Sequence, residues 1–519
     1  MASPMSMTIF WLVVVFAGIA ILSYIGSRRA RTLKDYLISG GRVGPVLIAL
    51  SWMAAWDSGG AMIGVPGVAY ALGYSAVVLW GFAVLAVPIS VMLVSTKLKK
   101  FSTVSSSLTF TDIAGSRYDS NTIRIVCAFM MLIFMFISIV AQLKGGGVCF
   151  QAVTGFPWQW CVVLIAAICV LVAAGGGMFT LIWSNAFLCV VMLIGAVTLT
   201  IGGTSLVGWF GGLDQKLLAD PLGLKHGLQV GLQGNVLVSF FSSPKYFDTT
   251  PVFGELSIFG ALGWFFAMFI GTLGLPHTSS IYLALKPMSK KSYTFFIFFI
   301  TTLAVLLSSV MFYGLAARAH FGDKFMKNID LAIPSFAVDI FSSPVAGFII
   351  TGFLMAVATT VGSALLVTVT SAVRTIYRMW VKEPTDRGEM TAGKIGAVLL
   401  GLIAMFVTIS NPPAYLAKLH YLVYSSLGFA FVFAVIIPMY WRRANTQGAL
   451  IAMVVATLVT ITGLLVFKWP TGTTMFVSFL LTGATWYVGT MLFPPPSQEL
   501  VKKCFPEAQV KPGPSGIPI

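Results

Sequence analysis

Charge is what this chain has least of. Only 9% of its 519 residues are Asp, Glu, Lys or Arg, where a soluble domain carries about a quarter. A soluble globular protein is excluded on that ground, and a mean hydropathy of +0.93 agrees. Short alternating segments are missing too, which excludes an outer-membrane barrel. Catalytic groupings are equally scarce. The four histidines (His226, His277, His320 and His420) are scattered, and no HExxH, paired-carboxylate or Gly-x-Ser-x-Gly arrangement accompanies them. An intramembrane enzyme is therefore not expected. Six cysteines (Cys127, Cys149, Cys161, Cys169, Cys189 and Cys504) lie mostly in apolar stretches without CxxC spacing. They indicate neither a disulfide framework nor a metal site. The glycine triplets at 145–147 and 175–177 lack the strand-to-helix context of a phosphate loop and suit close helix packing instead.

What the chain does have is hydrophobic length. Apolar residues fall in continuous blocks of roughly twenty, enough to cross a ~30 Å hydrocarbon core as a helix. The expected fold is thus an all-α polytopic membrane protein of about thirteen transmembrane helices. They lie near 8–26, 44–70, 74–96, 123–143, 159–175, 181–203, 255–276, 293–316, 343–377, 392–410, 416–440, 446–467 and 472–492. The first block is too long for a secretory signal and has no small-residue cleavage site before Arg28-Arg29, so it reads as a retained helix. The connections at 206–253 and 317–342 are long enough for short interfacial helices, and the tail from 493 to 519, rich in proline and glycine, reads as disordered.

The formal net charge of +16 follows from topology. Most basic residues fall in alternate connections: Arg28 to Arg42, Lys97 to Arg124, Lys286 to Lys291, Arg374 to Lys394, Arg442-Arg443 and the tail lysines. The positive-inside rule puts these in the cytoplasm and the N-terminus outside. No nucleic-acid partner is needed; the expected setting is the cytoplasmic (plasma) membrane.

Two stretches carry chemistry. "AAWDSGGAMIGVPG", residues 54–67, places Asp57, four glycines and Pro66 inside the second apolar block. An ionisable residue at that depth costs at least ~2.5 kcal/mol and marks a functional site by default. With the glycines and proline, it fits a discontinuous helix whose freed backbone groups line a cavity. In "GFLMAVATTVGSALLVTVTSAV", residues 352–373, Ala356, Thr359 and Thr360 share one helix face. Their oxygens suit a hard cation such as sodium. Membrane threonines also bond back to their own helix, so spacing alone leaves both roles open.

The order of several further stretches is informative. "DYLISGGRVGP" (35–45), "GVPGVAYALG" (64–73), "TFTDIAGSRYDS" (109–120), "GLPHT" (274–278) and "YWRRANTQGALIAMV" (440–454) follow one another as in the sodium:solute symporter family. The chain resembles that family from residue 35 to about 490, most nearly its pantothenate-permease branch. The resemblance implies a LeuT-type core of two inverted five-helix repeats. The first would run over 44–203 and the second over 255–440, with an extra helix at 1–26 and two C-terminal helices at 446–492. It implies Na+ as coupling ion, held by the carbonyls of Ala54, Asp57 and Ala356 and the hydroxyls of Thr359 and Thr360. It also implies a solute site near Trp56, Gly59, Gly60, Ala61, Gln142 and Phe269, and a monomer or weak oligomer.

This sequence departs from the family at three places. Asn185 and Leu188 stand where relatives often have an aspartate and a glutamine, and Ile281 stands where many have an arginine. The family uses only the carbonyl at the position of Asp57, so its carboxylate is an addition. Two unit charges 5 Å apart at an effective dielectric of 20 interact by about 3 kcal/mol. An ionised Asp57 would repel a carboxylate to that extent unless paired with sodium, and attract an ammonium group beside Trp56. The expectation is a sodium-coupled symporter importing a small solute such as pantothenate, a monocarboxylate or an amino-acid-like compound. The alternatives are a choline-like or other amine substrate bound through Asp57, a proton-coupled carrier, and a transporter-like membrane sensor. Gly60 and Ala61, in place of amide and carboxylate side chains, argue against a sugar.

Overall fold

The computed structural model describes residues 3–219, 258–325, 328–410, 419 and 422–505. His226, His420, most of the 206–253 connection and the tail from 506 lie outside the described residues. Among the described residues the regular secondary structure is helical, apart from one isolated bridge between Val43 and Leu285.

The principal helices are α1 (Pro4–Arg29), α2 (Pro45–Trp56), α3 (Gly60–Ala71), α4 (Trp80–Ser105), α5 (Asn121–Thr154), α6 (Trp158–Ala174), α7 (Met178–Leu206), α8 (Leu262–Gly274), α9 (Lys290–Phe321), α10 (Ser343–Trp380), α11 (Asp386–Ser410), α12 (Tyr424–Met439), α13 (Thr446–Val466) and α14 (Thr471–Leu492). Nine of them are long and apolar enough to cross a membrane singly, and α2 and α3 form one further span bent by 62°. α6, α8 and α12 are shorter apolar helices.

Local sequence explains where the helices begin. Ser3 accepts the Ser6 N–H ahead of Pro4 at the first turn of α1, whose last turn ends in Arg28 and Arg29. Those cations complement the negative end of the helix dipole. The motif "DYLISGGRVGP" is a cap and a turn. Thr32 and Asp35 form a capping box, and Ser39, Gly40 and Gly41 take φ values of 49°, 64° and 70° in succession. Such a run of left-handed residues is cheap where glycine supplies it. It delivers Val43 to a pair of backbone hydrogen bonds, from Val43 N to Ala284 O and from Lys286 N to Val43 O, both 2.9 Å. The start of α2 is thereby tied to the segment that follows α8. Thr109, Ser120 and Asn445 cap the helices after them in the same way.

Burial separates a centre from a periphery. The most apolar window of α10 is entirely buried, against 17% for α1, whose Phe10, Val13 and Ile21 face outward. α10 packs against α1, α2, α5, α6, α7 and α11. Its glycines permit this. A Cβ at Gly362 would lie 2.6 Å from Val172 Cγ1, and one at Gly347 would lie 2.7 Å from the backbone of Met7.

Two expectations need correction. The segment from 493 was read as disordered, but residues Gln498–Cys504 form a helix capped by Ser497, and Phe505 lies under the guanidinium groups of Arg117 and Arg442. The apolar packing of Cys504 and Phe505 against the bundle outweighs the local Pro and Gly content. The fourth span, expected to end near 143, runs on to Thr154. Its glycine triplet is a packing face: a Cβ at Gly147 would meet Trp158 at 2.7 Å. Lys144 is carried inside because its Nζ lies 3.1 Å from Asp330 Oδ2, with both residues buried.

Asp330 lies on the connection between α9 and α10, which covers α3. The Ile329 carbonyl is pressed against Gly67, and the Tyr70 hydroxyl donates to Gly322 O while accepting from Phe325 N. Breaking a buried ion pair on one side strands a charge, at a cost of about 3–5 kcal/mol. Lys144→Met should therefore lower thermal stability in detergent markedly, and Lys144→Met with Asp330→Leu should recover most of the loss.

Candidate functional site

The break between α2 and α3 is set by its residues. Asp57 leaves helical geometry at φ −76°, ψ 76°, and its N–H still reaches Met53 O at 2.7 Å. Ser58 restarts the chain: its hydroxyl accepts the Ala61 N–H at 3.3 Å and its carbonyl accepts the Met62 N–H at 2.8 Å. Gly60 to Gly64 then form one wide π turn, of the kind that recurs at functional sites. Every residue from Ser51 to Gly64 is buried.

The carbonyls at the end of α2 meet hydroxyls from α10. Thr359 Oγ1 donates to Ala54 O at 2.6 Å and lies 3.1 Å from Ala356 O. Thr360 Oγ1 donates to Ala55 O at 3.0 Å. The structure thus brings Ala54, Ala356 and Thr359 into one oxygen cluster. It pairs Thr360 with Ala55, one residue from the carbonyl the sequence pointed to. A second tier, absent from the sequence reading, supports them. Ser363 Oγ donates to Thr359 O at 2.7 Å, and Asn185 Nδ2 donates to Ser363 Oγ at 3.0 Å and Ser51 O at 3.4 Å. Asn185 therefore acts as a neutral donor that ties α7 to α2 and α10. The signal for it was present as one amide in an apolar span.

The other predicted residues sort into two groups. Gln142 of α5 is fully buried, and its amide lies against Gly59, where a Cβ would come 2.9 Å from Gln142 Oε1 and 2.5 Å from Val357 Cγ2. Neither Gln142 side-chain atom has a hydrogen-bond partner among the described residues. Trp56 is one ring of a column in which Tyr282, Trp52, Trp56 and Trp80 stack at centroid separations of 5.6–6.0 Å. Gly60 and Ala61 lie in the π turn. Phe269 is not joined to this group: its ring stacks on Phe265, one turn earlier on its own helix, at 5.2 Å.

A second interruption faces the first. α8 ends in a 3-10 turn at Gly271–Gly274, and Leu275 is extended at φ −70°, ψ 117° before Pro276. Gly271 and Gly274 are pressed against the carbonyls of Tyr424 and Gly428 in the first, π-helical turn of α12. The second break is thereby tied to the opening turn of α12.

An interrupted membrane helix and a second break after α8, set beside a fully buried central helix, belong to a fold that this chain shares with LeuT-fold transporters. The chain belongs to the sodium:solute symporter family, whose profile matches residues 36–456. It is 24% identical over 452 residues to the osmoregulated proline transporter OpuE of Bacillus subtilis (strain 168), covering 85% of each chain. It is 24% identical over 449 residues to the sodium/pantothenate symporter of Escherichia coli (strain K12), covering 86% of this chain and 87% of that one. Among solved structures it is similar to a Na+-coupled sialic acid symporter in a substrate-bound outward-open state. That match has a TM-score of 0.78 at 16% identity and covers 95% of this chain and 98% of the other. The protein is accordingly a multi-pass membrane transporter and not an enzyme, with sodium as coupling ion and a small molecule as substrate.

The close approach at Gly59 gives a direct test. Overpacking of a filled core costs about 1–3 kcal/mol. Gly59→Ala should lower thermal stability by that amount, and adding Val357→Ala, which removes the methyl group in the way, should restore it.

Proposed function

We propose that this chain imports a small organic solute by coupling it to inward sodium movement at the α2–α3 break. The reading rests on one observation: the Thr359 hydroxyl sits 2.6 Å from the Ala54 carbonyl, across the gap between a broken helix and the central helix. A hard cation prefers an all-oxygen shell. The Ala54, Asp57 and Ala356 carbonyls with the Thr359 and Thr360 hydroxyls supply five such oxygens, none of them charged. A sodium ion entering there turns the hydroxyl-to-carbonyl hydrogen bonds into shared coordination.

That placement accounts for coupling. Sodium touches both the broken helix and α10, so its affinity depends on how the two are set relative to each other. A ligand shifts a conformational equilibrium only through such differential affinity. Sodium stabilises the outward-open arrangement, the solute fills the cavity at Trp56, Gly59, Gly60, Ala61 and Gln142, and both are released after rocking. Counting α6, α8 and α12 as spans gives thirteen crossings. Residues 44–203 and 255–440 then form two repeats, each opening with an interrupted helix, and the N-terminus lies outside. The relatives' names, with proline and pantothenate, support a solute of that size and polarity.

The test is uptake of labelled proline and pantothenate into proteoliposomes against sodium concentration. Thr359→Ala and Thr360→Ala should each raise the sodium concentration for half-maximal uptake by about tenfold or more, since each removes a ligand worth at least ~1.4 kcal/mol. An unchanged sodium dependence in both variants would remove the site from α10.

A further inference from the structure

We infer that the Asp57 carboxylate is the seat of an ammonium group on the transported solute. This rests on the symporter reading above and narrows its substrate to amine-bearing compounds. The first observation is burial without a partner. Asp57 is 1% exposed, and neither carboxylate oxygen has a hydrogen-bond partner among the described residues. Nor does any of the ion pairs among the described residues include it: Lys144 is held by Asp330, Arg374 by Asp112 and Glu389, and Arg318 by Asp323.

The structural uses of an aspartate at this place are already taken. An aspartate before a restarting helix commonly caps it through a backbone N–H. Here Ser58 does so, accepting the Ala61 N–H. Asp57 instead ends α2, where the helix dipole is negative and an anion is unfavourable. An ionised carboxylate there needs a cation that none of the ion pairs among the described residues supplies. Sodium does not require this group, because the proposed shell of carbonyls and hydroxyls is complete without it.

The surroundings fit a cation with an organic body. Tyr313 gives its hydroxyl proton to Met62 O at 2.7 Å and so does not serve the carboxylate. The ring of Trp56, next to Asp57 in sequence, is stacked between Trp52 and Trp80, which gives the break an apolar, aromatic wall. Gln142, with both amide atoms unpartnered against Gly59, supplies a donor and an acceptor for the solute's other polar end. A buried carboxylate and, beside Gly59, a buried amide, both without partners, form a recognition pair for a zwitterion or an amine.

The proposal is tested on purified full-length protein by ligand-induced thermal stabilisation in NaCl and in KCl. The probes are matched pairs differing in the amine: proline and cyclopentanecarboxylate, β-alanine and propionate, choline and 3,3-dimethylbutanol, with pantothenate as an amine-free acid. In wild-type protein an amine-bearing member should stabilise in NaCl with an apparent affinity at least about tenfold above its counterpart. Asp57→Asn, which keeps the backbone carbonyl, should erase that difference. Stabilisation by amine-free acids alone, or by no amine-bearing member, would overturn the proposal. So would loss in Asp57→Asn of the shift produced by sodium without solute, which would make the carboxylate an inorganic-cation site. Because the matched pairs are compared in wild-type protein, the proposal stays decidable if the variant does not fold. Absence of any sodium-dependent shift in wild-type protein would instead count against the symporter reading itself.

Discussion

A helix interrupted in hydrocarbon strands backbone carbonyls, and each one left without a partner costs several kcal/mol. In this chain the hydroxyls of Thr359 and Thr360 take the carbonyls of Ala54 and Ala55, and the rest of the architecture follows from keeping those groups in register. α10 must be wholly buried to present two threonines to the break, so it is surrounded by six helices and lined with glycines that admit them. Asn185 and Ser363 fix the backbone behind Thr359. The same contacts that satisfy the carbonyls in the absence of a ligand are ones that a cation can replace without new groups being brought in. Under the proposed function, satisfaction of the backbone and readiness for an ion are one arrangement.

The break also separates two kinds of residue that sequence places side by side. Ala54 and Ala55 are hydrogen-bonded to α10, whereas Gly59 lies against both Val357 of α10 and Gln142 of α5. Ion and solute would then contact different neighbours of one short segment, which is how binding of one can alter affinity for the other. The second interruption, at Leu275, is tied to α12, since Gly271 and Gly274 lie against its opening π turn. On the far side of α3, the 322–342 connection is held by the Lys144–Asp330 pair and by Tyr70.

Much of this was legible in the sequence, and the reasons are specific. The break could be read because Asp57, the glycines and Pro66 are costly in an uninterrupted span, and Thr359 because its helical spacing put it on the face of Ala356. The motifs that mark the family proved to be mostly scaffold. Thr32, Asp35, Thr109 and Asn445 cap helices, and Arg117 binds the carbonyls of Pro438 and Trp441. What sequence could not give was pairing across distance. Lys144 meets Asp330 186 positions away, and nothing local to either residue announces the other. Thr360 selects Ala55 because of how α10 is rotated against α2, a tertiary property. Phe269 was named from the family resemblance alone, and its ring belongs to an aromatic cluster with Phe82 and Phe265 that no local pattern announces. The helix at 498–504 was hidden because its stability comes from docking and not from propensity.

The central claim is that sodium binds between α2 and α10 at the break. Electron cryomicroscopy of the protein in lipid nanodiscs, in matched NaCl and KCl buffers, addresses it most directly. The account predicts sodium-dependent density within coordination distance of the Ala54 and Asp57 carbonyls and the Thr359 hydroxyl, with the Thr359 to Ala54 hydrogen bond opened around it. An intact hydrogen bond in both buffers, with sodium-dependent density elsewhere in the bundle, would contradict it.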